Sequence, residues 1–148
     1  MQDFKYSSLI NAPVEEVWNF HERPDILEIL APPWPPLQVI RREGRLDVGA
    51  VSEFRLLIGI FPVRWVARHT ACEKYRLFID EQDIGPMASW THRHIFAEEN
   101  GKTRLVDAID FSLPGGWLVD ILLGWAVKAQ LEVMFRYRHQ VTKGECEV

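Results

Sequence analysis

The sequence predicts an α+β fold in which a mainly antiparallel sheet is followed by one long C-terminal helix. Between residues 37 and 112, strand patterns alternate with short turns, which favours antiparallel neighbours. The run at residues 111–116 then breaks the strand pattern, and a helical pattern follows from Trp117 to about His139. Two short helices are predicted between the first strand and the rest of the sheet.

Length and composition indicate one domain. The chain has 148 residues, of which 47% are hydrophobic, enough for a single core spanning residues 1–148. Its 17 basic and 21 acidic residues give a net charge of -4, which argues against a nucleic-acid partner. The most apolar stretch, residues 117–127, contains Asp120 and is shorter than the roughly 18 apolar residues of a membrane span. We therefore expect a soluble protein without a membrane span.

The cysteines and the start of the chain suggest a location. Cys72 and Cys146 lack the spacing of metal ligands, and no secretory signal is recognised before the first strand. Both features favour reduced thiols in the cytoplasm.

The N-terminal elements follow from capping and breaking signals. A strand is predicted over residues 3–10, after which Asn11-Ala12-Pro13 starts a short helix that reaches Phe20. Arg23-Pro24 interrupts this helix, and residues 25–30 form a second short helix or turn. The proline-rich residues 31–36 form a loop.

Six further strands are bounded by turn residues. They are predicted at about 37–43, 50–60, 63–74, 76–83, 87–97 and 103–112, separated by Gly44, Gly49, Pro62, Gly85-Pro86 and Asn100-Gly101. The residues after Gly144 are expected to fray.

The dipeptide Asn100-Gly101 predicts a two-residue type I′ hairpin turn. This turn pairs Glu99 with Lys102 and so determines the register of the two strands. One face of the hairpin then carries the opposed pairs Phe96/Leu105, His94/Asp107, His92/Ile109 and Trp90/Phe111. The other face is more polar, with Arg93 diagonal to Asp110. The first face is therefore predicted to point inward, carrying two histidines and a carboxylate among large apolar residues.

Alternation extends this inward face to the neighbouring strands. It places Phe54, Leu56 and Ile58 on one predicted inward face and Trp65, Ala67 and His69 on the next. A partly buried carboxylate that pairs with a histidine has a lowered pKa and raises the histidine's pKa. In a closed core such groups are costly unless they are hydrogen-bonded, whereas in a cavity they orient a ligand.

The C-terminal helix is predicted to form the other wall. Its inward stripe comprises Val119, Leu123, Val127, Met134, Tyr137 and Val141, and its polar stripe comprises Lys128, Glu132, Arg136 and His139. Trp117, Ile121 and Trp125 continue the polar stripe with apolar side chains. They are expected to be covered by the proline-rich loop or by a second subunit, or to dock on a membrane or a protein partner.

The order of elements resembles the helix-grip fold of the START-like, or SRPBCC, superfamily. Residues 10–18 are similar to the first strand-to-helix passage of that superfamily. Further matches resemble an uncharacterised bacterial branch, similar to polyketide cyclases and dehydrases and sometimes found beside sugar-nucleotide epimerase-like domains. These are Asp80-Glu81-Gln82, Gly85-Pro86-Met87, the run from Trp90 to Phe96, Thr103, Asp107 and the run from Met134 to His139.

The resemblance implies a curved sheet around the long helix, with a cavity that binds or carries a small hydrophobic molecule such as a lipid or polyketide. The candidate ligand-binding residues are Phe54, Trp65, His69, Trp90, His92, His94, Asp107, Leu123 and Val127. Inward alternation alone also places these residues in a plain core.

Two other functions stay open. A histidine paired with Asp107 could act as a general base, which makes His92, His94 and Asp107 candidates for cyclase or dehydratase chemistry. A metal held by His92 and His94 together with His69 or Asp107 has no third ligand fixed by local spacing, so neither a metal nor a cofactor is predicted. The alternative to both is an interaction module, a homodimer or a protein complex, that uses Trp117, Ile121 and Trp125.

Overall fold

The computed structural model describes residues 1–147. Its strands are β1 (Gln2–Ile10), β2 (Leu37–Glu43), β3 (Val51–Ile58), β4 (Phe61–Glu73), β5 (Leu77–Ile84), β6 (Ser89–Glu99) and β7 (Lys102–Ser112). Its helices are α1 (Val14–His21), α2 (Ile26–Leu30) and α3 (Trp117–Cys146). This order confirms the predicted fold class.

The strand boundaries differ from the predictions by at most two residues. The clearest difference concerns Pro62, which was expected between strands but lies within β4. The turn falls instead at Gly59 and Ile60, because Gly59 adopts the positive φ of 63° that the tight connection requires.

All seven strands form one antiparallel sheet in the order β1-β7-β6-β5-β4-β3-β2. The sheet curves around α3, which packs most closely against β1, while α1 and α2 cover one end. One apolar cluster forms beneath α1 around Trp18, Phe78 and Phe96. A second lies between the sheet and α3 around Trp90 and Phe135.

The β6–β7 hairpin has the predicted register. Glu99 lies opposite Lys102 and His94 lies opposite Asp107. Asn100 and Gly101 both have positive φ angles, of 54° and 80°, as a type I′ turn demands. This register brings the histidines of β6 and the carboxylate of β7 to the same inward face.

Helix α3 is longer than predicted and remains ordered beyond His139. The Glu147 N–H donates to the Lys143 carbonyl at 2.9 Å, and the Glu147 carboxylate accepts the Asn11 N–H at 2.8 Å. These two hydrogen bonds hold residue 147 against the fold, which differs from the expected fraying after Gly144, and Val148, the last residue of that segment, lies outside the described residues.

The inward stripe of α3 was also predicted at the wrong rotation. Leu123, expected inward, is 53% exposed, while His139, expected outward, is 2% exposed. The periodicity is misleading because apolar residues are spread around the helix and the true stripe includes polar residues. The buried positions are Asp120, Gly124, Leu131, Phe135, His139, Thr142 and Cys146.

The first half of α3 keeps an apolar face outside the core. Trp117, Ile121 and Trp125 are 72%, 60% and 69% exposed, so no segment within residues 1–147 covers them. The proline-rich loop does not provide the expected cover, and its own Trp34 is 60% exposed. Across the described part of the chain, no helix combines the length and apolar character needed to cross a membrane.

Candidate functional site

A cavity of about 420 Å³ lies between the inner face of the sheet and α3. This volume falls in the range of small-molecule sites, about 300–1,000 Å³. Its apolar wall includes Leu27, Leu30, Phe54, Leu56, Ile58, Val63, Trp65, Ala67, Phe78, Met87, Trp90, Val127, Leu131, Met134 and Phe135. The wall is thus contributed by β3, β4, β5, β6, α2 and α3.

Three aromatic side chains from neighbouring strands support one another along this wall. The Phe54 and Trp65 rings are stacked with centroids 6.0 Å apart, and Trp65 meets Trp90 edge to face at 5.0 Å. Such contacts add stability beyond simple burial and hold the rings in place. Trp34 borders the same cavity while being largely exposed, so the cavity reaches the surface beside the proline-rich loop.

The opposite end of the cavity is polar. Residue 80 of β5 pairs with residue 92 of β6, so Asp80 joins His92 and His94 on the inward face. His94 Nε2 lies 2.8 Å from Asp80 Oδ2, and His94 Nδ1 lies 3.2 Å from Asp107 Oδ1. Both ring nitrogens of His94 therefore face carboxylates.

Asp107 lies behind the histidines and joins them to α3. It accepts hydrogen bonds from His92 Nε2 at 2.8 Å and from His139 Nε2 at 2.6 Å. The other nitrogen of His139 meets the Ser8 hydroxyl of β1, which donates to it. Burial alone would raise the pKa of Asp107, but the hydrogen bonds from His139, His92 and His94 outweigh burial and hold that pKa well below its usual range.

The two histidines of β6 have opposite protonation tendencies although their rings stack with centroids 3.6 Å apart. Burial, followed by the nearby charge of His94, lowers the pKa of His92. Burial also opposes the charge on His94, but hydrogen bonds to Asp107 and Asp80 outweigh it and raise the pKa of His94. Protonation is therefore favoured at His94 over His92, and a neutral His92 that donates its Nε2–H to Asp107 has its lone pair at Nδ1.

The structure brings most of the sequence-predicted residues together. Asp107 borders the small pocket behind the histidines rather than the cavity itself. The choice of Leu123 as a lining residue is wrong, because it lies on the exposed face of α3. The predicted residues that do line the cavity are Phe54, Trp65, His69, Trp90, His92, His94 and Val127. Their role in binding stays a prediction.

His69 occupies a more structural position than the other two histidines. Its Nδ1 donates to the Leu46 carbonyl at 3.0 Å, and its ring stacks on Phe78 with centroids 5.4 Å apart. Burial lowers the pKa of His69. This side chain therefore forms a neutral part of the wall.

Asp80 also changes the interpretation of a metal site. Asp80, His92 and His94 each place one donor atom within 4.8 Å of the other two. From the sequence, His69 or Asp107, and not Asp80, was considered as the third ligand beside His92 and His94. Asp80 takes the third place because it lies across the strand pair from His92. In this arrangement Asp80 Oδ2 already has a hydrogen-bond partner, since it lies 2.8 Å from His94 Nε2.

Two arginines of the wall were also missed from the sequence. Arg42 of β2 donates to the backbone carbonyls of Arg23 and His21. Arg138 of α3 lies over the Phe135 ring, 5.3 Å from its centroid, and borders the cavity. The alternation of β5 could have identified Asp80, but no pattern in α3 distinguished Arg138 from the exposed Arg136.

No protein-family description and no curated protein matches the sequence. Solved structures do match. The Zhui aromatase/cyclase from Streptomyces sp. R1128 has a TM-score of 0.75 at 16% identity, covering 99% of this chain and 93% of that chain. Ara h 8.0201 has a TM-score of 0.67 at 12% identity, covering 95% and 97%.

A third structure is more similar in sequence. The nucleoside-diphosphate sugar epimerase from Corynebacterium glutamicum has a TM-score of 0.74 at 28% identity over 95% of this chain, which spans only 28% of the epimerase chain. The curved antiparallel sheet, the long C-terminal helix and these structural neighbours show that the protein has a helix-grip fold.

Proposed function

We propose that this protein binds or transports a small hydrophobic ligand, of a lipid or polyketide-like class, in the cavity between the sheet and α3. The observation that carries the proposal is the cavity itself, about 420 Å³ with a mainly apolar wall and a few polar groups at one end. This combination is typical of sites that bury an apolar ligand and orient it by a small number of hydrogen bonds. His92, His94 and Asp80 provide the orienting groups, and Asp107 holds the two histidines from behind.

The first experiment is native mass spectrometry of the purified protein, followed by denaturing extraction of any bound molecule. Binding is then measured directly by fluorescence with N-phenyl-1-naphthylamine, a neutral apolar probe. A bound lipid or polycyclic compound, or saturable uptake of the probe, supports the proposal. An empty protein that does not take up the probe contradicts it.

The variant Ala67→Phe shows whether the probe occupies this cavity. Ala67 is buried in the wall, so a phenyl ring there takes up ligand space, and we expect the probe affinity to fall at least about tenfold. Overpacking costs about 1–3 kcal/mol, which urea denaturation measures separately. Ala97→Phe places the same ring on an exposed position of β6 and should leave the affinity unchanged. Unchanged affinity in Ala67→Phe would place the probe elsewhere.

A second candidate function is a dehydratase or cyclase reaction in the same cavity. The specific observation in its favour is the pair of stacked histidines whose pKa values are shifted in opposite directions. Paired groups with separated pKa values suit general base and general acid roles. In a dehydration, His92 Nδ1 would accept the proton from the carbon beside a carbonyl. The electron pair would form the C=C bond and the C–O bond would break. A protonated His94 would release its Nε2–H from Asp80 and donate that proton, so that the hydroxyl leaves as water.

A model substrate distinguishes the catalytic proposal from the carrier proposal. Dehydration of 4-hydroxy-4-phenyl-2-butanone to the conjugated enone is followed by ultraviolet absorbance. The catalytic proposal predicts turnover that falls about 100-fold or more in His92→Gln and His94→Ala, with substrate binding largely retained. The carrier proposal predicts no turnover, together with altered probe affinity in His94→Ala.

We also propose that the exposed apolar face at Trp117, Ile121 and Trp125 contacts a second copy of the chain. Three large apolar side chains on successive turns of α3 make a patch of the kind that interfaces cover. Sedimentation equilibrium is expected to show a dimer that Trp125→Glu converts to monomer while probe affinity is retained. A wild-type protein that stays monomeric would contradict this contact.

A further inference from the structure

Arg138 lies in the cavity wall, and its Nε–H finds no acceptor among the described residues. Its Nε atom is buried, and within residues 1–147 it has no hydrogen-bond partner. The guanidinium is held over the Phe135 ring, 5.3 Å from the centroid. Burial lowers the pKa of Arg138. Since a buried donor without a partner costs about 1–3 kcal/mol, a ligand that supplies an acceptor here gains affinity.

The neighbouring carboxylates do not fill this role. Asp80 is paired with His94, and Asp107 is shared by His92, His94 and His139. Among the described residues, the ion pairs of these two carboxylates within 4.0 Å involve histidines and not Arg138. The carboxylates therefore attract the guanidinium from a distance without satisfying its hydrogen-bonding groups.

The second arginine of the cavity wall already has partners. Arg42 donates to the backbone carbonyls of Arg23 and His21, and the charges of Glu28 and Asp25 favour its charged form. Arg138 is therefore the arginine of the wall whose Nε–H has no acceptor within residues 1–147. A negatively charged ligand group would supply that acceptor.

We propose that the ligand is amphipathic and ends in a carboxylate, which the guanidinium of Arg138 binds while the apolar remainder lies along Phe54, Trp65 and Trp90. The planar fork of a guanidinium matches a carboxylate with two parallel hydrogen bonds, and charge-assisted bonds of this kind are roughly twice as strong as neutral ones. The aromatic wall would bury the rest of the molecule. This inference rests on the proposed hydrophobic-ligand function and names its ligand class.

The test compares ligands of equal shape that differ in charge. Isothermal titration calorimetry at pH 7 measures 2-naphthoate against 2-naphthamide, and decanoate against decanamide. We expect the carboxylate of at least one pair to bind about 10- to 100-fold more tightly than its amide. In Arg138→Gln this preference should disappear, whereas Arg138→Lys should retain part of it. Arg136→Gln, on an exposed position of the same helix, is the matched control and should keep the full preference.

The outcomes distinguish failure of this inference from failure of the proposed function. Equal affinity for both members of each pair overturns the inference and leaves the hydrophobic-ligand function in place. Binding of N-phenyl-1-naphthylamine without binding of either carboxylate likewise overturns the inference and leaves the hydrophobic-ligand function in place. If neither the pairs nor this neutral probe bind, the proposed function is overturned as well. Should Arg138→Gln fail to fold, Arg138→Lys takes its place, and a lysine variant with the full wild-type preference overturns the inference.

Discussion

Replacing Asp107 with asparagine is expected to lower the free energy of unfolding by about 3–5 kcal/mol, because it removes the charged partner shared by the buried His92 and His139 and the partly buried His94. Asp107 accepts hydrogen bonds from His92 at 2.8 Å and from His139 at 2.6 Å, and its Oδ1 lies 3.2 Å from His94 Nδ1. An asparagine has the same shape but only one acceptor oxygen, so at least one of the ring N–H groups loses its partner. His94 also loses one of the two carboxylates that its ring nitrogens face.

Urea denaturation of the variant and the wild type measures this loss. The matched control is Asp110→Asn on the same strand, where the carboxylate points to the outer face and pairs with Arg93 at 3.5 Å. Exposed ion pairs contribute little, so the control should lose less than about 1 kcal/mol. A loss in Asp107→Asn no larger than in this control would show that the histidine cluster does not depend on the negative charge.

Replacing Phe135 with alanine is the second change with a large expected effect. Phe135 is almost fully buried, and its ring contacts Phe4 at a centroid distance of 5.8 Å and His92 edge to face at 5.3 Å. Removing such a side chain from a core costs about 3–5 kcal/mol. Phe135 lines the cavity, so loss of its ring also enlarges the cavity at the polar end. The guanidinium of Arg138 loses the ring over which it lies.

Thermal or urea unfolding measures the stability loss, and Phe61→Ala is the control. Phe61 is largely exposed at the β3–β4 turn, so its removal should change stability by no more than about 0.5 kcal/mol. We expect Phe135→Ala also to weaken the preference for carboxylate over amide ligands, since the guanidinium loses its support. A Phe135→Ala protein as stable as Phe61→Ala would mean that α3 does not pack on the sheet as described.

The hairpin was the part of the site that local chemistry could predict. Asn100-Gly101 leaves the backbone few choices, and once the turn is set the strand period of two places His92, His94 and Asp107 on one face. No comparable constraint acts on α3. Its buried stripe holds His139 and Thr142, which are stable there because Asp107, Ser8 and a helix carbonyl satisfy them. Asp107 and Ser8 are distant from His139 in the sequence, so periodicity alone predicted the wrong face.

Contacts between residues that are distant in the sequence also explain why Asp80 and Arg138 were not identified from the sequence. Asp80 joins the cluster because β5 pairs with β6 in a register that places it opposite His92. The connection at Gly85-Pro86 does not predict that register, whereas Asn100-Gly101 predicts the register of β6 and β7. Arg136 and Arg138 are arginines of the same helix, and they differ in the side of α3 on which they lie: Arg138 borders the cavity and Arg136 is exposed. Long-range packing, and not composition, therefore decides which charges face the cavity.

The hydrogen-bonded chain from Ser8 through His139 to Asp107 and His92 has a consequence for how the cavity responds to a ligand. It joins β1, α3, β7 and β6, so α3 cannot move away from the sheet at this point without breaking a buried charged contact. The separation between helix and sheet, and with it the width of the polar end, is thus established before any ligand arrives. Preorganisation of this kind lowers the entropic cost of binding. Adaptation to ligands of different size is left to the half of the cavity beside Trp34, where the wall reaches the surface.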